Sequence, residues 1–166
     1  MKHCNIREMK SNELNFYKQF LAVGLLEDAE NFRLTPTDDL HAPFPTGDKE
    51  DSFTLGAFVD DELAGVVSFE RDGKDREKLR HKGILFRMYV SKDFRGQGVG
   101  QALILAVIER VRQIGTIEQI NLTVIANNAN AKKLYEKFGF KTFSSEEHAI
   151  KWKGKYFTED QMALRL

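Results

Sequence analysis

Arg95-Gly96-Gln97-Gly98-Val99-Gly100 stands between an apolar run and a helical pattern, and it is the strongest chemical signal in the chain. Closely spaced glycines let a backbone approach a bulky anion and turn its N–H groups toward it, and a following helix adds the favourable end of its dipole. Phosphate or pyrophosphate is the expected ligand. A dinucleotide fingerprint needs G-x-G-x-x-G, but the third glycine would fall at Gln101, or at Leu103 in the other register. No Gly-Lys-Ser/Thr follows, so a P-loop is excluded too. The second cluster is Asn128-Ala129-Asn130-Ala131-Lys132-Lys133-Leu134-Tyr135-Glu136-Lys137-Phe138-Gly139-Phe140. A tyrosine on the apolar face of a helix is by itself core packing, but a phenol can also serve as a proton donor in a desolvated site.

Taken together, the two clusters resemble the two signature motifs of the GNAT superfamily of acyl-CoA N-acyltransferases. The first is similar to its Arg/Gln-x-x-Gly-x-Gly/Ala pyrophosphate turn, the second to its N-x-x-A-x-x-L-Y-E-x-x-G-F segment, in the right order and one strand apart. The resemblance implies an α+β fold: a mixed, mostly antiparallel, twisted sheet of six to seven strands flanked by about four helices. It implies acetyl-CoA as co-substrate, with pantetheine paired to the backbone of Met88, Tyr89 and Val90, as another strand would be. Arg95, Gly96, Gln97, Gly98, Val99, Gly100 and Gln101 would surround the pyrophosphate, through backbone N–H groups. Arg95 either adds charge there or is a solvated surface arginine. Asn128 lies near the pantetheine arm or serves only as a helix cap. Tyr135 would protonate the departing thiolate after a substrate amine attacks the thioester directly. Cys4 lies outside both motifs, which argues against a covalent cysteine route.

The family's usual bases are missing. Histone-type members carry a glutamate where Ile84 stands, and the ribosomal-protein type carries one where Thr123 stands. Glu70 is the first substitute and His81 the second, with a water relay or an amine that arrives neutral as further routes. Glu27, Asp28, Glu30, Asp38, Asp39, Asp48, Glu50 and Asp51, then Glu146, Glu147 and His148, fall in segments that set specificity in the family. They read either as a solvated face or as an attraction for a cationic acceptor. The expected activity is N-acetyl transfer to a primary amine of a small molecule or peptide. The alternative is a non-catalytic acyl-CoA sensor.

The elements that must position these residues follow from periodicity. Residues 11–32 read as helix, with Gly24 expected to break or kink it into two. Thr35–Ser52, with Pro36, Pro43 and Pro45, reads as one long loop. Phe53–Val59 and Leu63–Phe69 form a hairpin pattern around Asp60-Asp61-Glu62. Ile84–Val90 is a nearly continuous apolar run, interrupted by Arg87, as expected of a buried strand. Val99–Ile114 is an amphipathic helix ending at Gly115. Gln119–Ile125 is a strand, and Asn127 or Asn128 caps the next helix. Phe140–Phe143 starts a strand, and Ala149–Trp152 with Tyr156–Leu166 forms a closing hairpin.

The chain has 166 residues, the length of one compact domain, and residues 1–166 read as a single unit. Lys plus Arg and Asp plus Glu number 25 each, so no electrostatic footprint for nucleic acid is present. The single cysteine excludes an intrachain disulfide and a multi-cysteine zinc site, and no metal is expected. No signal-like apolar segment opens the chain and no run is long enough to span a bilayer, so the expectation is a cytoplasmic protein without a membrane partner. The resemblance leaves room for a homodimer.

Overall fold

The structure, a computed structural model, describes residues 3–166. Seven strands form one sheet in the order β1-β2-β3-β4-β5-β7-β6. They are β1 (Cys4–Met9), β2 (Ser52–Val59), β3 (Glu62–Arg71), β4 (Lys82–Val90), β5 (Gln119–Ile125), β6 (Lys141–Trp152) and β7 (Lys155–Arg165). Every neighbouring pair is antiparallel except β4 with β5. That parallel pair is joined by α3 (Val99–Ile114), as a parallel connection requires. The other helices are α1 (Leu14–Glu27), the short α2 (Pro36–Asp39) and α4 (Ala129–Lys137).

The sheet separates two apolar layers. Leu103, Val107 and Val111 of α3 and Tyr135 of α4 pack on one face against Leu55, Val67, Phe69, Leu85 and Leu122. On the other face, Tyr17, Leu21 and Leu25 of α1 pack against Val66, Tyr89 and Phe44. The β2–β3 hairpin turns at Asp60 and Asp61, both at positive φ, as a two-residue turn of the primed type needs. Gly115 takes the left-handed conformation that ends α3.

Four details differ from the sequence expectations. Residues 4–9 form an edge strand paired with β2, which the short alternation of Cys4 and Ile6 only faintly signals. Gly24 does not break α1. A Cβ there would lie 2.8 Å from the Tyr89 ring, so glycine is required for close helix-on-sheet approach rather than for a kink. The 35–52 segment is not a bare loop: Thr35 caps α2, its Oγ1 accepting from the Asp38 N–H at 3.1 Å, and Phe44 is buried. Finally, β6 is one long strand with two register shifts where two separate pieces were expected.

Candidate active site

Strands β4 and β5 pair only at Lys82–Ile84 with Gln119–Asn121. Beyond that point they separate, and roughly 20 Å of β4 edge, from Ile84 to Val90, runs without a partner strand on that side. The gap opens into a cleft of about 900 Å³ lined by β4, Thr123–Ile125 of β5, α4 and the glycine turn. Backbone donors and acceptors along such an edge suit a ligand that carries amides of its own.

At the end of β4 the chain enters the glycine turn. Gly96 and Gly98 have φ of +73° and +82°, and nothing lies within 4 Å of where a Cβ would stand on either. That open space, at the N-terminus of a 16-residue helix, has the room and the dipole end that an anionic group needs. Gly100 has a different role: its Cβ would stand 3.0 Å from Leu134 Cδ2, so it allows α3 and α4 to approach. Arg95 is not a free surface charge. Its Nε donates to the Val90 carbonyl at 3.0 Å and its guanidinium pairs with Asp28, tying the end of α1 to the end of β4.

Tyr135 projects from α4 into the cleft and is only 7% exposed, with its ring edge-on to Phe140. Burial pushes its hydroxyl up to about 12, so the group holds its proton at neutral pH and can donate it. Asn128 caps α4, its Oδ1 accepting from the Ala131 N–H at 3.3 Å, and it also lines the cleft. The two readings of that residue are therefore compatible.

The charges of the cleft are mostly matched. Arg33 donates to Glu159 through Nε at 2.7 Å and Nη2 at 2.5 Å, a two-pronged pair with a carboxylate that is 4% exposed. Asp28 is taken by Arg95. Arg87 has no ion pair among the described residues, and its Nη1 is buried without a hydrogen-bond partner. It occupies an irregularity in β4. Ser68 pairs with Phe86 and Val66 with Tyr89, which leaves two β4 residues facing one on β3. Arg87, at φ +49°, is the extra residue of this β-bulge, in a conformation costing about 1–2 kcal/mol for a residue other than glycine. The bulge resets the alternation: Leu85, Met88 and Val90 share the α3 face, while Arg87 is brought beside Tyr17 on the α1 face.

A sequence profile of the Acetyltransferase (GNAT) family matches residues 20–140. The chain belongs to this family. A solved GNAT acetyltransferase from Streptococcus pneumoniae superimposes with a TM-score of 0.81 at 27% identity, covering 99% of this chain and 100% of that one. A probable spermine N(1)-acetyltransferase of Bacillus subtilis subsp. natto is 25% identical over 52% of this chain and 57% of its own length. The L-amino acid N-acetyltransferase AaaT of Escherichia coli K12 is 28% identical over 66% of this chain and 65% of its own length. The chain thus aligns with 57% and 65% of the lengths of these two named enzymes.

The GNAT cleft brings together Met88, Tyr89, Val90, Arg95, Gly96, Gly98, Val99, Gly100, Gln101, Asn128 and Tyr135. Gln97 is not in its lining; its side chain donates to the Asp93 carbonyl at 3.0 Å. Glu70 and His81 are also outside the lining, and both are exposed. Glu70 pairs across the strands with Ile84, which does line the cleft, and its carboxylate lies 3.4 Å from the Ser52 hydroxyl. Of the acidic residues weighed for specificity, only Asp28 reaches the cleft. Several others are held elsewhere: Asp48 by Ser11, Asp51 by Arg71 and Glu27 by Lys92. Arg87 lines the cleft but is not among the sequence candidates. Its one signal was a lone charge inside an apolar strand pattern. No helix among the described residues is long and apolar enough to cross a membrane.

Proposed function

We propose that the chain is an acetyl-CoA-dependent N-acetyltransferase that moves the acetyl group to a primary amine of a small molecule or peptide, within a ternary complex. The observation that carries the reading is the gap between β4 and β5, which leads from Tyr135 to the open glycine turn. Acetyl-CoA, as co-substrate, supplies the activated acyl group. The residues present fit it: the free edge of Met88–Val90 matches the amides of pantetheine, and the open positions at Gly96 and Gly98 admit a pyrophosphate.

The chain's own contribution is then positional and acid–base. Backbone N–H groups of β4 would be the donors to a carbonyl oxygen that gains negative charge. Tyr135 holds a proton at its hydroxyl for the leaving thiolate, in a site dry enough to make the transfer count. Both carboxylates in the cleft, Asp28 and Glu159, are engaged by arginines, so neither is free to take the amine proton. Glu70, reached through water past Ile84, remains the proposed acceptor of that proton, with His81 after it.

The test is a screen of primary amines for acetyl-CoA-dependent release of free thiol. Turnover of at least one amine class is expected. Binding of acetyl-CoA with no amine turned over would instead favour an acyl-CoA sensor.

A further inference from the structure

Five charged side chains line the cleft: Asp28, Arg33, Arg87, Arg95 and Glu159. Two arginine–carboxylate pairs account for four of them and leave Arg87. Asp39, which is buried on the same face, acts on the Tyr17 hydroxyl, as Arg87 does, but makes no ion pair with Arg87. The unpartnered Nη1 of Arg87 is not alone. Asp39 Oδ1, on the same face, is buried without a hydrogen-bond partner as well, whereas the Tyr17 hydroxyl interacts with Arg87 itself and with Ser68 and the Tyr89 hydroxyl sits among Glu27, Asp28, Asp93 and Arg95 at the far end of the strand. Buried polar atoms are normally satisfied, and an unpartnered guanidinium nitrogen on a cleft-lining residue marks a place where a ligand group can dock.

The backbone points the same way. With regular alternation, Arg87 would share a face with Leu85 and enter the apolar layer under α3. The bulge at φ +49° prevents this and keeps the guanidinium on the α1 face. Strain at a cleft-lining residue is a pointer to function when it is observed first, as it is here. Arg87 precedes Val90 by three residues, about 10 Å along the strand, so it lies well back from the glycine turn. It is therefore placed for the acceptor rather than for the pyrophosphate.

We propose that Arg87 anchors a carboxylate on the acceptor, so that the amine acetylated belongs to an amino acid or another amine bearing a carboxylate. This rests on the N-acetyltransferase reading above and names its substrate class. A planar guanidinium binds a carboxylate through two parallel hydrogen bonds. A polyamine would bring positive charge against a half-buried cation that has no ion pair among the described residues and is disfavoured.

The experiment compares L-amino acids with their amides, and with spermidine, by thiol release at saturating acetyl-CoA. Wild type, Arg87→Gln and Arg87→Lys are used, each checked by circular dichroism and by its KM for acetyl-CoA. The amide keeps the amine, and keeps it more available at neutral pH, so preference for the acid runs against intrinsic reactivity. The wild type is expected to prefer at least one acid over its amide. Arg87→Gln should lose about 10- to 100-fold in kcat/KM on the acid, mostly through KM, and little on the amide. Arg87→Lys should recover part of the loss, and the KM for acetyl-CoA should stay within about twofold throughout. Equal or better use of amides or spermidine overturns the proposal, as does an Arg87→Gln variant that keeps the preference for acid. If acetyl-CoA raises the melting temperature but no amine in the set is acetylated, the carboxylate proposal also fails, while acyl-CoA binding stands. Absence of any acetyl-CoA shift would bring down the broader reading instead.

Discussion

The two halves of the cleft are built on different principles. The half formed by β4, the glycine turn, α3 and α4 offers backbone: a free strand edge and two open positive-φ glycines. The half facing α1 and residues 28–52 offers side chains, with Arg33 on Glu159, Arg95 on Asp28 and Arg87 unmatched. A ligand shared across a family can be held by main chain, which any sequence supplies once glycine opens the approach. An acceptor that differs from member to member needs charges and hydroxyls at particular places. Substitutions that block the backbone at the glycine turn should therefore remove acetyl-CoA binding itself, and those among the charged side chains of the second half should change which amine is used.

The largest effect is expected at Gly98. Gly98→Val places a branched side chain at φ +82° in the open space of the turn, and binding of acetyl-CoA, measured by calorimetry, should be abolished. Retained affinity would show that the turn does not hold the phosphates. Tyr135→Phe comes next. The ring stays packed on Phe140 and only the donor is lost, so turnover should fall by about 10²–10⁴-fold with Kd for acetyl-CoA nearly unchanged. A fall well under tenfold would assign Tyr135 to packing alone.

Glu70→Gln should cost about tenfold in rate at neutral pH, with partial recovery at high pH, where more of the amine is free. A wild-type pH–rate profile would exclude Glu70 and turn attention to His81. The smallest effect concerns stability. Burial pushes the Tyr17 and Tyr135 hydroxyls up to about 12, above the usual tyrosine value near 10. Below pH 10 folded and unfolded chains both keep these protons. Above it the unfolded chain releases them first, so stability falls as pH rises toward 12. At pH 11, Tyr135→Phe should lose about 1 kcal/mol less than wild type relative to neutral pH, read from urea midpoints.

The same division governs what could be read from sequence. The glycine turn, α3 with its Gly115 stop, and α4 with its Asn128 cap are local features, each specified by residues within one or two turns of chain. The acceptor half depends on long-range pairing. Nothing near Gly24 shows that the Tyr89 ring will lie against it, and a break was the local expectation. The bulge at Arg87 arises from the register between β3 and β4, a property of two strands that neither displays alone. The edge strand β1 carries too few apolar residues to declare its pairing. Acidic residues counted along the chain leave a solvated face and an attraction for a cationic acceptor both open, and only their placement shows that Asp28 alone among them lines the cleft.

The most direct test of the account is the equilibrium stability of the wild-type chain in acetyl-CoA. At a hundredfold excess over Kd, selective binding to the folded chain should add about 2.7 kcal/mol, with no comparable effect of NAD or ATP. Stability unchanged by acetyl-CoA, alongside stabilisation by NAD or ATP, would contradict the assignment of the β4–β5 gap to an acyl-CoA.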